Sequence, residues 1–406
     1  MTKPHFSALF GLSGLLALSC LTPALAMDIE FDGNLELEAR SYLEDGQRTS
    51  QETAFTSVAG EFELGLYSRS GRHAVIVKPF GRVDEHDHER THFDLREAKY
   101  RYVNGAYELT IGADKEFWGV TEFLHLVDII NQTDNVESLD GEQKLGQPMV
   151  KLSVSQNWGT LTGYYMPAFR IRQFNDPLTG RHSMGFVVND ATTLFESKHG
   201  RYNPDYAIRY HNSFGVVDLG LSWFDGTART PGFVATGQTY NDLPVLNAFY
   251  ALKTQASVDV QATLGPWLLK LEATQSEQED VTTSRATGGF EYTFYNLFGS
   301  GTDVGLVTEY MWDERELDAP HPFGNDIGLG FRWTANDTQS TAILFGGLVD
   351  LDSNSTATSL EAERRLGQNF KLILEARAQD KVGDGDLPAA LNGDEDFVRL
   401  RLNWFF

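Results

Sequence analysis

From residue 28 onward the chain alternates apolar and polar side chains with a period of two, and it returns to that pattern up to its last residue. Ile29, Phe31, Leu35, Leu37 and Ala39 fall on one side of an extended segment, with Glu30, Asp32, Glu36, Glu38 and Arg40 on the other. Trp267, Leu269, Leu271 and Ala273 alternate with Lys270, Glu272 and Thr274. Near the end, Val398, Leu400, Leu402, Trp404 and Phe406 alternate with Arg399, Arg401 and Asn403. A helix, with a repeat of about 3.6 residues, cannot gather such a set on one face, so each segment is a strand with one apolar and one charged side. The segments run to about 10 to 14 residues, longer than the ~5–6 of a mean soluble strand and enough for the ~9–11 that a tilted strand needs to cross a hydrocarbon core.

The rest of the sequence sharpens that choice. Lys3 and His5 precede an apolar run from Phe6 to Leu21, and Ala24-Leu25-Ala26 supplies the small-x-small pattern of a signal-peptidase site, so residues 1–26 are expected to be a cleaved leader. Beyond it no stretch approaches the ~20 apolar residues of a membrane helix. In lipid every backbone polar group must pair internally, which leaves a closed barrel as the spanning alternative. Lys plus Arg number 33 against 57 Asp plus Glu, a net charge of −24, which excludes gripping a nucleic-acid backbone. A single Cys excludes a disulfide scaffold and Cys-based metal sites, and 27 Phe, 15 Tyr and 7 Trp are too many aromatics for a disordered tail.

Connections alternate in length. Short turns are expected at Ser70-Gly71, Asn104-Gly105, Ser213-Phe214-Gly215, Leu264-Gly265-Pro266 and Leu366-Gly367-Gln368. Between them lie longer polar loops near 44–52, 85–91, 114–147, 169–203, 226–244, 276–283, 314–324, 351–356 and 381–395. Short turns on one side and long loops on the other are the asymmetry of a bacterial outer-membrane barrel. Strands are placed to start near residues 28, 53, 72, 91, 105, 148, 158, 204, 215, 245, 267, 284, 303, 325, 338, 355, 369 and 395. The expectation is therefore all-β: one antiparallel transmembrane β-barrel over 27–406, of about 18 strands, with 16 as the other count compatible with both termini on the short-turn side.

The last strand adds a more specific mark. Ending on Phe406, with Trp404, Leu402 and Leu400 on the same face, the chain resembles the large bacterial outer-membrane barrels of porin type, whose final aromatic strand is read by the barrel-assembly machinery. That resemblance implies the outer membrane of a Gram-negative bacterium, with membrane lipid and lipopolysaccharide around the barrel. The segments Trp118-Gly119, Val127-Asp128-Ile129-Ile130-Asn131 and Gly146-Gln147-Pro148-Met149 are similar to barrels associated with lipid or hydrophobic-compound export.

Candidate functional residues lie on the charged face and in two loops. In 114–147, Phe123, Leu126, Val127 and Ile130 recur at i, i+3, i+4 and i+7, which predicts a short helix over 122–130 whose apolar stripe either folds inward as a constriction or packs as a lid. Loop 169–203 gathers Arg170, Arg172, Arg181, Lys198 and Arg201, which either focus an anionic solute, clamp lipopolysaccharide phosphates or pair with acidic neighbours. Inward wall charges include Lys99, Arg101, Arg399 and Arg401, opposed by Glu36, Glu38, Glu61 and Glu63; closure would set Arg399 and Arg401 beside the acidic face of Glu30 to Glu38. His86, His88 and His92 are weak metal candidates, and Asp384, Asp386, Asp394, Glu395 and Asp396 could attract divalent cations loosely. No G-x-S-x-G elbow follows the leader, and no cofactor is called for.

The function expected is a channel, not an enzyme, for small polar or charged solutes, limited in size by the 114–147 loop and in charge by the arginines and wall residues. The alternative is a barrel that moves hydrophobic molecules with periplasmic or inner-membrane partners.

Overall fold

The computed structural model describes residues 27–137, 141–316, 323–386, 389–390 and 395–406; the expected leader 1–26 and Asp394 of the acidic loop lie outside them. The strands in chain order are β1 (Met27–Tyr42), β2 (Ala54–Ser68), β3 (His73–Asp84), β4 (His92–Asn104), β5 (Tyr107–Asp114), β6 (Gln147–Gln156), β7 (Gly159–Met166) and β8 (Val187–Val188). They continue with β9 (Leu194–Phe195), β10 (Asp205–Phe214), β11 (Val217–Thr227), β12 (Gly232–Tyr240), β13 (Leu243–Tyr250), β14 (Leu252–Leu264) and β15 (Trp267–Gln278). The last are β16 (Val281–Phe294), β17 (Asp303–Asp313), β18 (Asn325–Thr334), β19 (Ala342–Asp350), β20 (Thr356–Leu366), β21 (Phe370–Lys381) and β22 (Phe397–Phe405).

Eighteen of these form one antiparallel sheet in which each strand pairs with its neighbours, while β8, β9, β12 and β13 make a separate small sheet. The large sheet closes on itself: β22 pairs with β1, setting Arg401 opposite Glu38, Arg399 opposite Arg40 and Phe397 opposite Tyr42. The fold is an all-β, 18-stranded closed barrel. Closure removes both sheet edges, so over the paired length of the wall the backbone groups find partners within the sheet.

The two-residue alternation becomes two surfaces. Outward positions carry Leu37, Ile111, Leu161, Ile208, Leu221, Leu271, Leu306 and Leu329, all exposed. Aromatic residues flank this apolar belt: Trp158 stacks on Tyr210 and Trp267 sits against Tyr292 toward the short turns, whereas Tyr165 meets Tyr206 toward the loops. An apolar band with aromatic rims suits hydrocarbon between two interfaces.

Three loop expectations change. β15 and β16 are joined by Glu279 and Asp280 alone, both with positive φ (51° and 62°), so 276–283 is a tight hairpin in which the two polar residues take the left-handed conformations such a turn demands. The 226–244 loop holds the β12–β13 hairpin, and the strand expected from 245 divides at Ala251 into β13 of the small sheet and β14 of the wall. The split follows from burial: Tyr250 is enclosed by Phe169 and Phe195, an apolar cluster separate from the wall.

Candidate functional site: the lumen and its inward loop

The segment between β5 and β6 enters the lumen and crosses it. From the middle of the segment, Asn131 ties its two ends together, donating from Nδ2 to the carbonyls of Asp114 and Leu145 while its Oδ1 accepts from Glu116 N. Farther in, Glu272 of β15 receives the backbone N–H groups of Val120 (2.7 Å), Thr121 (3.2 Å) and Val127 (3.2 Å). Glu309 of β17 receives those of Glu122 (2.8 Å) and Phe123 (3.0 Å). Arg332 of β18 then pairs with the Glu122 carboxylate at 2.6 Å.

These contacts explain why 122–130 is not the helix that the apolar spacing predicts. In a helix the first N–H groups lack partners and later ones bond to carbonyls four residues back. Here two wall carboxylates take five of the loop's N–H groups, and charge-assisted bonds of this kind outcompete a short isolated helix. Val127 and Ile130 are wholly buried and Leu126 nearly so; Val127 and Ile130 cluster with Trp118, Met149, Tyr164, Met166 and Phe224. Arg229, following β11, caps the Ile130 carbonyl from Nε and Nη2 and pairs with Asp205 at 2.7 Å.

Phe123 reaches the far wall. A Cβ on Gly328 would lie 2.7 Å from its ring, one on Gly330 3.7 Å and one on Gly346 3.5 Å, so three glycines of β18 and β19 leave a notch that the ring fills. The signal was present in the alternation, which puts Gly328 and Gly330 in the inward register of a wall otherwise lined by long polar side chains.

The loop's other arm is held by charge. Glu137 accepts two bonds from Arg82 Nε and one from Nη2, and lies 4.0 Å from Arg96 and 3.7 Å from His92. Burial alone would raise its carboxyl, but the guanidinium charges of Arg82, Arg90 and Arg96 hold it below its ordinary value.

From there ion pairs run around the wall. Glu36 pairs with Arg82, Glu38 with Arg90 (2.7 Å) and Arg40, Glu61 with Arg96, and Glu63 with Lys78. Lys99 bridges Glu97 and Asp114, and Lys151 joins Asp114 to Glu116. Beside the seam Arg399 pairs with Glu375 of β21 and Arg401 lies 3.6 Å from it, while across the seam Arg399 is 3.8 Å from Glu38. Closure thus brings the basic last strand to the acidic first one, as the alternation implied. Arg101, half-buried on the same face of β4 as Lys99, takes part in none of these pairs. Arg90 belongs to this network too, and nothing in its loop distinguished it beforehand.

The basic loop folds onto acidic partners. Arg181 is buried against Glu395 (2.8 Å) with its guanidinium 4.1 Å from the centre of the Tyr42 ring, and Arg170 forks onto Asp94. Arg172 Nε donates to the Gln132 side chain. Of the expected cluster, Lys198 and Arg201 are exposed. The three candidate metal histidines diverge: His86 stands edge-on to Phe55, His88 is exposed and His92 faces Glu137. Among the described residues no group of three His, Cys, Asp or Glu converges on a cation position. In the acidic loop Asp386 accepts from Ser353 Oγ and Ala389 N.

A cavity of about 580 Å³ lies between the inward loop and the short-turn end of β7, β10, β11 and β14. Phe117 and Trp118 border it on the loop side; Thr160, Arg209, His211 and Asp259 border it on the wall side.

No protein-family model matches the chain, and no curated protein does. Solved structures with some likeness include an engineered protein described for asymmetric conductivity, at 12% identity over 93% of this chain and 100% of that chain, with a TM-score of 0.46. A mutant of Rh. blastica porin matches at 12% identity over 93% and 100%, with a TM-score of 0.44. OmpT, an outer membrane protein of Vibrio cholerae in its trimer form, matches at 8% identity over 94% and 100%, with a TM-score of 0.47. On its own geometry the chain is a closed β-barrel: 18 antiparallel strands joined edge to edge, an apolar exterior and a charged interior entered by one long loop.

Proposed function

We infer that the protein is a channel of the Gram-negative outer membrane through which small polar or charged solutes pass, limited in size by the loop between β5 and β6. One observation supports this above the rest: the loop spans the lumen, with Glu272 and Glu309 of the opposite wall gripping its backbone. Side chains so numerous and so charged are tolerable in a barrel interior only where water shares the space. Solutes would move past the loop along the paired wall of β22, β1, β2 and β4, where Lys99, Arg101, Arg399 and Arg401 lie among Glu36, Glu38, Glu61 and Glu63 and would select by charge. The alternative of a hydrophobic cargo draws no support from Val127 and Ile130, because both are buried against the wall and offer no greasy track. On this reading membrane lipid and lipopolysaccharide surround the belt, and the strand ending at Phe406 is the part that assembly machinery would engage.

Single-channel recording in planar bilayers tests the reading. Deleting 118–145 should enlarge the unitary current several-fold; an unchanged current would remove the loop from the permeation path, and no current from either protein would remove the channel.

A further inference from the structure

The cavity below the inward loop holds a pair of charged side chains built in an unusual way. Arg209 of β10 and Asp259 of β14 are not on adjacent strands; β11 runs between them. They meet across it, with Arg209 Nη2 donating to Asp259 Oδ1 at 2.9 Å, because β11 presents Gly220 at that level, where a Cβ would collide with both side chains. Trp118 supports the arrangement from the loop, its ring centre 4.8 Å from the guanidinium carbon. The pair is only half satisfied. Arg209 Nη1 and Asp259 Oδ2 have no hydrogen-bond partner and are themselves enclosed, while Asp259 is 4% exposed and both residues border the cavity with other atoms. A buried donor and a buried acceptor left open side by side are costly unless something polar completes them.

The surrounding groups narrow what that something is. The other carboxylates of the cavity are already engaged, Glu116 with Lys151 and Asp218 with the Ser213 hydroxyl. His211 and Gln261 add further donors and acceptors, and Phe117 offers an aromatic ring that is 58% exposed. A free anion would suit Arg209 but meet the Asp259 charge alongside it; a free cation would meet the reverse. A hydroxyl both donates and accepts, so two neighbouring hydroxyls meet the cavity edge of the pair and, with a small turn of the two side chains, complete Asp259 Oδ2 and Arg209 Nη1 without bringing in a net charge, and they are less costly to desolvate than an ammonium and a carboxylate.

We propose that this cavity is a binding site for a small uncharged polyhydroxylated solute, of the sugar or polyol class, with a pair of its hydroxyls on Arg209 and Asp259 and its C–H face on Phe117. The volume lies in the range of small-ligand sites, roughly 300–1,000 Å³. The site rests on the channel reading, since a solute reaches it from the lumen, and it makes the path selective as well as size-limited.

The test uses the full mature chain in detergent and in bilayers. Calorimetric titration with glucose and with sucrose should give saturable binding in the millimolar range, and the same sugars should reduce open-channel current. Asp259→Asn and Phe117→Ala should each weaken binding roughly tenfold; Phe117 is a loop residue with an exposed ring, so its replacement keeps the test valid if Asp259→Asn fails to fold. Glycine as a zwitterion and acetate as an anion should give no saturable signal. Sugar binding unaffected by both variants overturns the assignment of the site. Binding of glycine in place of sugar overturns the solute class. A conducting protein that binds neither sugar overturns the site and leaves the channel standing, whereas sugar binding without conductance overturns the channel reading and leaves the site.

Discussion

Glu272 shows how much a single lumen carboxylate carries. It is fully buried and accepts the loop N–H groups aimed at it together with the Thr121 hydroxyl. Glu272→Gln keeps one carbonyl oxygen and loses the charge, which should destabilise the docked loop by about 2–3 kcal/mol, since bonds to charged groups contribute about 1.5–3 each and some donors are left open. The expected outcome is frequent transitions between two current levels in bilayer recordings, with the barrel itself unfolding at an almost unchanged temperature. The wall position of Glu272 follows from alternation alone. Its partners do not, because they are backbone groups of a segment about 150 residues away, and no residue type marks a backbone donor as lacking a helical acceptor. Arg229 and Arg90 were hidden for a related reason: each acts through a loop conformation that the wall imposes.

At the scale of elements, the notch in β18 and β19 makes a sharper prediction. Gly328→Val would put a branched side chain where the Phe123 ring lies, and a well-packed contact relieves such overlap only by moving the ring or the strand, at a cost of about 1–3 kcal/mol. Phe123→Ala empties the same notch. Each should release the loop tip and raise mean conductance, and the double variant should differ little from either, since both break one contact; additive effects would show that the ring and the glycines act separately.

Loop 85–91 carries a pH dependence. Burial pushes the Asp87 carboxyl up to about 6, despite the N–H bonds it accepts from Asp176 and Arg90, with Asp84 adding to the rise and Arg90 opposing it. A folded value above the unfolded one, ~3.9, means stability is fully present below about pH 4 and declines as pH rises through 6. Asp87→Asn should flatten that decline, seen as higher amide protection factors in 85–91 and 176–180 at pH 7 than in the parent; equal protection factors at pH 5 and 7 in the parent would refute it. The strands bordering this loop were legible from their alternation, as were nearly all the wall strands. The tight Glu279-Asp280 hairpin and the β12–β13 hairpin were not, because polar composition marks a connection without fixing its length, and an apolar run such as 243–250 serves a cap as well as a wall.

Across the whole molecule, what alternation settles is which side of each strand meets water, and that is enough for a closed barrel. It does not settle what fills the interior, which depends on where one loop goes. The seam offers the test at this scale. Gly33 exchanges two backbone bonds with Phe406, and a Cβ there would lie 3.0 Å from the rings of both Phe406 and Phe62. Gly33→Val should therefore lower the yield of folded barrel on refolding into detergent, by at least half, while Gly81→Val, where a Cβ would meet nothing closer than 3.8 Å, should not; equal yields would show that the seam tolerates crowding. The pairing of Asn34 with Phe405 also orders events in time. It joins the first strand to the last, a contact between the most distant parts of the sequence, and such contacts form slowly because the chain entropy lost in bringing them together precedes any gain. Until β22 is in place, the growing sheet has two bare edges that would template pairing with any extended chain nearby, so the bond that shuts the ring is also the one that ends this exposure.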